Sequence, residues 1–279
     1  MIGTNPLVPL RRFGGTAALD LGFDLFRAQA KVLISIATAL FLPIQLLDLF
    51  LRLTTRRPSG ASAFTTSGFA LGVFGPMSGF EPFILVLQSV ALSLLGVASG
   101  VLTAAMMESQ TMSAGAVFRR TMARFWIAPL IVALSAIVYG LGSFLPLLGW
   151  AIAGGLTFTA SIAAGVEGLG PWRAVRRAMA LGGHNLTRAV GLYLGGLIIL
   201  YLTRLVLLGG PLGLLALLGA PEQLINIVME STAIVLVIVA PLTAAMASAA
   251  YVSMRVSSEG IDLAARIRAL DPSEAVESS

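Results

Sequence analysis

Long runs of apolar residues, separated by short segments that carry arginine, dominate this sequence. A run of about 20 apolar residues is long enough to cross the hydrocarbon core of a bilayer as a helix. Glycines and a proline divide the longest run, 126–166, into two such helices joined by a tight turn. We therefore predict an all-α, polytopic integral membrane protein with six transmembrane helices, at about 32–53, 82–107, 126–144, 147–166, 187–208 and 229–253.

Three segments between these runs have the periodicity of amphipathic helices and are predicted to lie on the membrane surface. They are 16–30, 108–125 and 171–182. In the first, Leu19, Phe23 and Phe26 share an apolar face. In the third of these segments, 171–182, one face carries Arg173, Arg176 and Arg177, and the other carries Trp172, Val175 and Met179.

The segment 209–223 is also apolar, but it is bounded by glycine and proline. We expect it to form a turn that does not span the membrane.

A short internal repeat supports the same organisation. FRRTMA (118–123) and VRRAMA (175–180) each precede a pair of predicted spans, as does the segment 16–30. We predict three units, each a surface helix followed by a helical hairpin. The alternative is a chance match in a composition rich in arginine and alanine.

The composition is typical of a membrane protein and indicates which kinds of partner the chain binds. The 279 residues are 57% hydrophobic and 11% charged, against about 25% charged residues in soluble domains. The net charge is +5 and the basic residues flank the spans. We therefore expect membrane lipids with anionic headgroups as partners, and no nucleic acid. The simpler alternative is that these charges only set the topology.

The distribution of basic residues also predicts the orientation. With six spans, all 18 basic residues except Arg52, Arg56, Arg57 and Arg204 fall on the side of the N-terminus. Basic loops remain in the cytoplasm, so both termini are predicted there. A single lysine among many arginines is typical of a GC-rich bacterial genome, which indicates a bacterial inner membrane. We divide the chain into 1–31 with the interfacial helix, the six-span domain 32–254 and a cytoplasmic tail, 255–279.

Glu167 is the most informative polar residue, because it ends a predicted span just before the basic helix 171–182. It can pair with Arg173, Arg176 or a neighbouring arginine and fix the angle at which the chain leaves the membrane. The alternative is a carboxylate that binds a proton or a substrate, since ionisable groups in membranes are functional candidates.

Other polar and small residues of the spans give further candidates. Gln88 is the polar residue of the second span and a candidate to line a cavity. Arg204 and Glu230 are predicted to pair near the outer interface, because either charge alone would be costly there. Gly191 and Gly195 form a GxxxG motif, which permits close helix packing within the chain or, as the alternative, between two chains.

No catalytic motif is present in the sequence. There is no nucleotide-binding loop, nucleophile motif or cluster of metal ligands, and there is no cysteine. The one histidine, His184, cannot form a metal site by itself. We therefore expect no enzymatic activity, no cofactor and no metal.

Three stretches resemble a family of bacterial polytopic proteins related to the membrane domain fused to glycerophosphodiester phosphodiesterases. They are residues 9–34, residues 165–181 (GVEGLGPWRAVRRAMAL) and residues 249–267 (AAYVSMRVSSEGIDLAARI). Ser253 departs from the family pattern, which has a larger residue or aspartate there. The resemblance implies the membrane fold alone, because phosphodiesterase chemistry belongs to a separate barrel domain for which this chain has no room.

The function predicted from these features is a non-catalytic scaffold or regulatory subunit at the inner leaflet, with a membrane protein as partner. The alternative is a transporter or permease subunit for a small or lipidic solute. A polar cavity that reaches the middle of the bundle would favour transport, whereas a dry core of leucine and alanine would favour a scaffold.

Overall fold

A computed structural model defines residues 15–55, 81–108, 110–142, 144–145, 148–221 and 232–259. Within these ranges every regular element is helical and no strand occurs. The helices in chain order are α1 (Gly15–Thr55), α2 (Glu81–Met107), α3 (Ala114–Met122), α4 (Ile127–Gly142), α5 (Leu148–Thr157), α6 (Ala160–Glu167), α7 (Pro171–His184), α8 (Leu186–Arg204), a π-helical turn (Leu205–Gly209), α9 (Gly210–Leu217) and α10 (Thr232–Glu259).

Five helical stretches of the described chain are long and apolar enough to cross a membrane. A sixth is counted if α3 and α4, which are bent by 65° relative to each other, form one broken span. For the described residues, the prediction of an all-α chain with several helices that could span a membrane is confirmed. The five stretches are Ala17–Asp48, Phe83–Met107, Leu148–Glu167, Leu186–Leu217 and Val237–Glu259.

The predicted surface helix 16–30 and the first span are one continuous helix, α1, so the expected break between them is wrong. The expected apolar face is mostly correct, because Leu19 and Phe26 pack against the core and only Phe23 is exposed, by 39%. The buried side of α1 packs along α10 through small residues. A Cβ added to Gly22 would lie 3.2 Å from the backbone of Met246.

The segment 209–223 is not the predicted turn, since helical structure continues to Leu217. Pro211 explains the form of this continuation. A proline inside a helix lacks the N–H donor and clashes with the carbonyl four residues earlier. The π-helical turn Leu205–Gly209 directly precedes it and supplies the local rearrangement that such a clash requires. Gly219, with φ of 66°, follows the end of α9.

The end of the chain differs from the predicted boundary as well. Helix α10 extends to Glu259, so the first residues of the predicted tail 255–279 continue the last span. The rest of that tail, and the first 14 residues of the predicted segment 1–31, lie outside the described residues.

Glycines allow α2 and α6 to approach closely in the centre of the bundle. A Cβ added to Gly100 would lie 2.5 Å from the carbonyl oxygen of Ile162 and 2.9 Å from the Cα of Gly165. By contrast, a Cβ on Gly191 would meet nothing within 4 Å, and one on Gly195 would lie 3.4 Å from Leu19. The close contact therefore forms at a GxxxG pair on α2, Gly96 and Gly100, and not at the pair predicted on α8.

This difference predicts opposite effects of the same substitution. Gly100→Ala forces α2 and α6 apart and should lower the free energy of unfolding by about 1–3 kcal/mol. Gly191→Ala should leave it unchanged or raise it by up to about 1 kcal/mol, because alanine is the better helix former. Thermal unfolding in a mild detergent checks both, and equal losses of stability would contradict the packing described.

Candidate functional site

The turn between α6 and α7 places Glu167 at one end of the bundle. Glu167 is the last residue of α6, and Gly168 follows with φ of 67°, a conformation that glycine adopts without strain. Gly170 then caps α7, and Pro171 occupies the start of that helix, where no N–H donor is needed. The local sequence EGLGP therefore stops one helix and starts the next.

Arg124 stabilises the same turn from the preceding part of the chain. Its Nη1 donates to the carbonyl oxygen of Ala164 at 3.4 Å. The last carbonyl groups of a helix lack partners within it, and a cation is favoured at that end by the helix dipole. The position of Glu167 is thus fixed by its own helix end and by this arginine.

Glu167 is the centre of a network of charged and hydrogen-bonded side chains, which we call the Glu167 network. Its Oε1 accepts hydrogen bonds from Nε of Arg177, at 2.9 Å, and from the hydroxyl of Tyr251. Nε of Arg255 lies 3.9 Å from the same oxygen. Arg177 also donates to Glu259, which accepts a further bond from Arg255 at 2.8 Å. Two carboxylates and two guanidinium groups therefore balance one another.

Three of these five residues come from one face of α10. Tyr251, Arg255 and Glu259 are four residues apart in sequence, and residues with this spacing lie above one another on a helix. Tyr251 is completely buried, whereas the charged members keep between 19% and 29% of their side-chain surface exposed. The network thus lies at the rim of the bundle, where α6, α7 and α10 meet.

The environment of Arg177 favours its charged form. Partial burial lowers the pKa of this guanidinium, but the hydrogen bonds and charges of Glu259 and Glu167 outweigh burial and raise the pKa above its ordinary value. Arg177 consequently stays charged and acts as a fixed cation between two helices.

Two of the arginines predicted beside Glu167 do not reach it. Arg173 and Arg176 are exposed on α7, and the described residues place no carboxylate within ion-pair distance of either. The neighbouring arginine that pairs is Arg177. The buried face of α7 consists of Ala174, Val175, Ala178, Leu181 and Gly182.

The expected apolar face of α7 is only partly correct. Val175 is buried, but Trp172 is 65% exposed and Met179 is exposed as well. Trp172 therefore lies on the outside of the helix together with Arg173 and Arg176. The side that packs on the bundle is formed mainly by small residues, which let α7 lie close to α4 and α6.

Tyr251, Arg255 and Glu259 were not identified as site residues from the sequence. The signal that could have found them is their regular spacing at the end of the last span, which places one polar stripe on an otherwise apolar helix. Ser253, the noted departure from the family pattern, accepts a hydrogen bond from Arg188 at 2.5 Å.

A separate cavity of about 130 Å³ lies between α2, α4, α5, α6 and α10 and opens to the outside of the helices at Ala136, which is exposed. Gln88 is buried beside it, one residue before Ser89, but does not line it. Neither does Glu167. The polar part of the lining consists of hydroxyl groups, those of Ser89, Ser93, Ser135, Tyr139, Thr157, Ser161 and Thr243.

Two expectations remain, the ion pair near the outer interface and the metal ligands. Glu230 and the side chain of Arg204 lie outside the described residues, so their predicted pair stays a prediction. Among the described residues, no group of three or more histidine, aspartate or glutamate side chains is arranged to hold a metal ion.

Comparison of the chain with protein-family models, with curated proteins and with solved structures finds no match.

Adjacent arginines on α7 provide a matched test of the Glu167 network. Arg177→Gln removes hydrogen bonds to two carboxylates and should lower the free energy of unfolding by about 1.5–3 kcal/mol. Arg176→Gln removes the same charge one residue away, from an exposed side chain, and should change it by less than about 0.5 kcal/mol. Unfolding in detergent or lipid discs measures both, and indistinguishable variants would show that the network contributes no stability.

Proposed function

We propose that this protein is a non-catalytic scaffold or regulatory subunit of a bacterial inner membrane, with six spans and both termini in the cytoplasm. The observation that carries the proposal is a set of four exposed arginines, which we call the basic surface: Arg119, Arg120, Arg173 and Arg176. These arginines lie on two short helices, α3 and α7, that follow the ends of α2 and α6.

The charge of this surface is not neutralised locally. Neither α3 nor α7 contains an acidic residue. The nearby carboxylates Glu167 and Glu259 are already engaged by Arg177 and Arg255. Exposed arginines beside the exposed ring of Trp172 are typical of a membrane interface, where tryptophan anchors at the headgroup level. Anionic lipid headgroups are therefore the partner that this surface fits best.

The Glu167 network supports the scaffold interpretation in a second way. It attaches α7 to the end of α10, so the arginines of α7 project from a fixed position. A binding surface held on rigid elements loses less entropy when a partner binds. A protein partner with acidic side chains could use the same surface together with the lipid.

Two further parts of the proposal depend on sequence features. The three-unit repeat is supported by the placement of FRRTMA on α3 and of VRRAMA on α7, each directly before a pair of apolar helical stretches. The family relationship depends on the three stretches of sequence that carry the resemblance. Two of them meet in the fold, where Glu167 accepts a hydrogen bond from Tyr251 and Arg177 donates to Glu259.

The alternative function, a transporter or permease subunit, is supported by the hydroxyl-lined cavity. Ser93, which lines it, lies near the middle of α2. A polar cavity at that depth is the feature expected of a solute path.

The scaffold proposal predicts that anionic lipid is retained by the basic surface. A variant with Arg119, Arg120, Arg173 and Arg176 replaced by glutamine should lose most of the anionic lipid that co-purifies with the wild type, because each arginine near an anionic surface contributes about 1 kcal/mol. Native mass spectrometry of the protein in discs of mixed zwitterionic and anionic lipid measures this retention.

The matched control replaces the same four arginines by lysine, which preserves the charge and should preserve most of the retained lipid. If the glutamine variant keeps as much anionic lipid as the wild type, the basic surface does not bind headgroups. A solute flux in proteoliposomes that persists in the glutamine variant would favour the transporter alternative.

A further inference from the structure

We infer that the cavity between α2, α4 and α10 is a binding site for a small uncharged alcohol. Its hydroxyl group is expected to meet the serine and threonine oxygens, and its apolar body to lie against the aliphatic and aromatic side chains. This site is separate from the basic surface, and its occupation does not depend on headgroup binding.

The charge of the ligand follows from the lining. Among the described residues, no aspartate, glutamate, lysine, arginine or histidine lines the cavity. A charged ligand inside a bundle of apolar helices would have no partner to offset the loss of its hydration. The site therefore excludes carboxylates, phosphates and ammonium ions.

The hydrogen-bonding role of the ligand follows from contacts already made. Ser89, Thr157 and Thr243 each donate to the carbonyl four residues earlier, at 2.8, 2.8 and 2.9 Å. A hydroxyl group has one proton to donate and two lone pairs that accept. These three oxygens have therefore spent their protons and remain able to accept, so a ligand that brings an O–H or N–H donor matches them.

Ser93 is the lining side chain whose buried hydroxyl group lacks a partner among the described residues. It is 8% exposed, and its Oγ is buried without a hydrogen bond to any described residue. Buried polar atoms are paired in most proteins, because an unpaired one costs about 1–3 kcal/mol. A ligand hydroxyl in the cavity would satisfy Ser93 and, at the same time, donate to one of the spent oxygens.

The size and the apolar walls favour an alcohol over water alone. Leu92, Val132, Phe158 and Ile162 form much of the remaining lining. Water is stable in a cavity when it has two to four polar partners, and it does not fill an apolar wall. An engineered cavity of about 150 Å³ in another protein holds one benzene molecule, so a volume of about 130 Å³ fits about six or seven heavy atoms.

The experiment is photolabelling of the protein in lipid discs with an alkanol that carries a diazirine. We expect adducts on the cavity-facing part of α4, between Ile131 and Tyr139. Cyclohexanol should compete with the label, whereas methylcyclohexane, which has a methyl group in place of the hydroxyl, should not. Mass spectrometry of proteolytic fragments locates the adducts.

A hydroxyl on an apolar body can come from a free alcohol or from a neutral lipid such as a diacylglycerol. A second series therefore uses a diacylglycerol as the competitor. Displacement by cyclohexanol alone assigns a free alcohol, and displacement by both shows that the hydroxyl end of a lipid also enters. Displacement by neither would overturn the proposal.

Substitutions of residues that line the cavity, and of one that does not, test the role of Ser93. Ser93→Ala should weaken competition by cyclohexanol by about two- to tenfold, the loss of one hydrogen bond. Thr103→Val removes a buried hydroxyl from the same helix, one that donates to the carbonyl of Ser99 and does not line the cavity, and should have no effect. Ser135→Leu fills the cavity from the half-buried face of α4 and should abolish specific labelling without any change at Ser93.

Three further results would overturn the inference. Equal competition by the alcohol and the hydrocarbon would show a purely apolar site. Adducts spread evenly over the lipid-facing helices would show only partition into the bilayer. Unchanged labelling and competition in both Ser93→Ala and Ser135→Leu would mean that the label and the alcohol bind outside the cavity.

Discussion

The hydrogen bond from Tyr251 to Glu167 is the interaction on which the basic end of the structure depends. Glu167 ends α6 at a glycine that reverses the chain, and without a partner its charge would lie unpaired against the apolar ends of three helices. Tyr251 supplies a buried donor from α10, and Arg177 and Arg255 supply the opposite charge. A carboxylate with these partners is stable at the rim of the bundle, whereas removal of one partner from such a set is costly.

The rest of the functional surface follows from this constraint. Because Arg177 is fixed between Glu167 and Glu259, α7 lies against the bundle with its small residues inward. Arg173 and Arg176 are then left on the outer side. The sequence places three arginines on this helix, and the structure divides them into one structural cation and two exposed ones. This division separates the charge that is paired within the fold from the charge that is exposed on its surface.

Much of the fold could be predicted from the sequence because membrane insertion imposes a length on each apolar run. The second span, predicted at 82–107, is α2 (Glu81–Met107), and the glycine-rich turn before α7 ends α6 where expected. The predictions that failed concern continuity. Nothing in 16–34 distinguishes a surface helix followed by a span from one long helix, since packing on α10 decides it. A proline that usually stops a helix is accommodated at Pro211 by a π-helical turn.

The site was only partly predictable for a related reason. Glu167 and its pairing with an arginine follow from local sequence, since both lie within a dozen residues of each other. Tyr251, Arg255 and Glu259 lie more than 80 residues away, and only the packing of α10 on α6 and α7 brings them to Glu167. The cavity is still harder to predict from the sequence, because serines and threonines scattered over five helices form no periodic pattern. They become a polar lining only after the helices assemble.

The most direct test of this account is the coupling free energy between Glu167 and Tyr251. Glu167→Ala, Tyr251→Phe and the double variant form a cycle whose unfolding free energies can be measured in detergent or in lipid discs. If the two side chains support each other as described, the cycle should give a coupling of at least about 1 kcal/mol. Effects that add to within about 0.5 kcal/mol would mean that the two residues act independently, and the Glu167 network would not hold the basic end together.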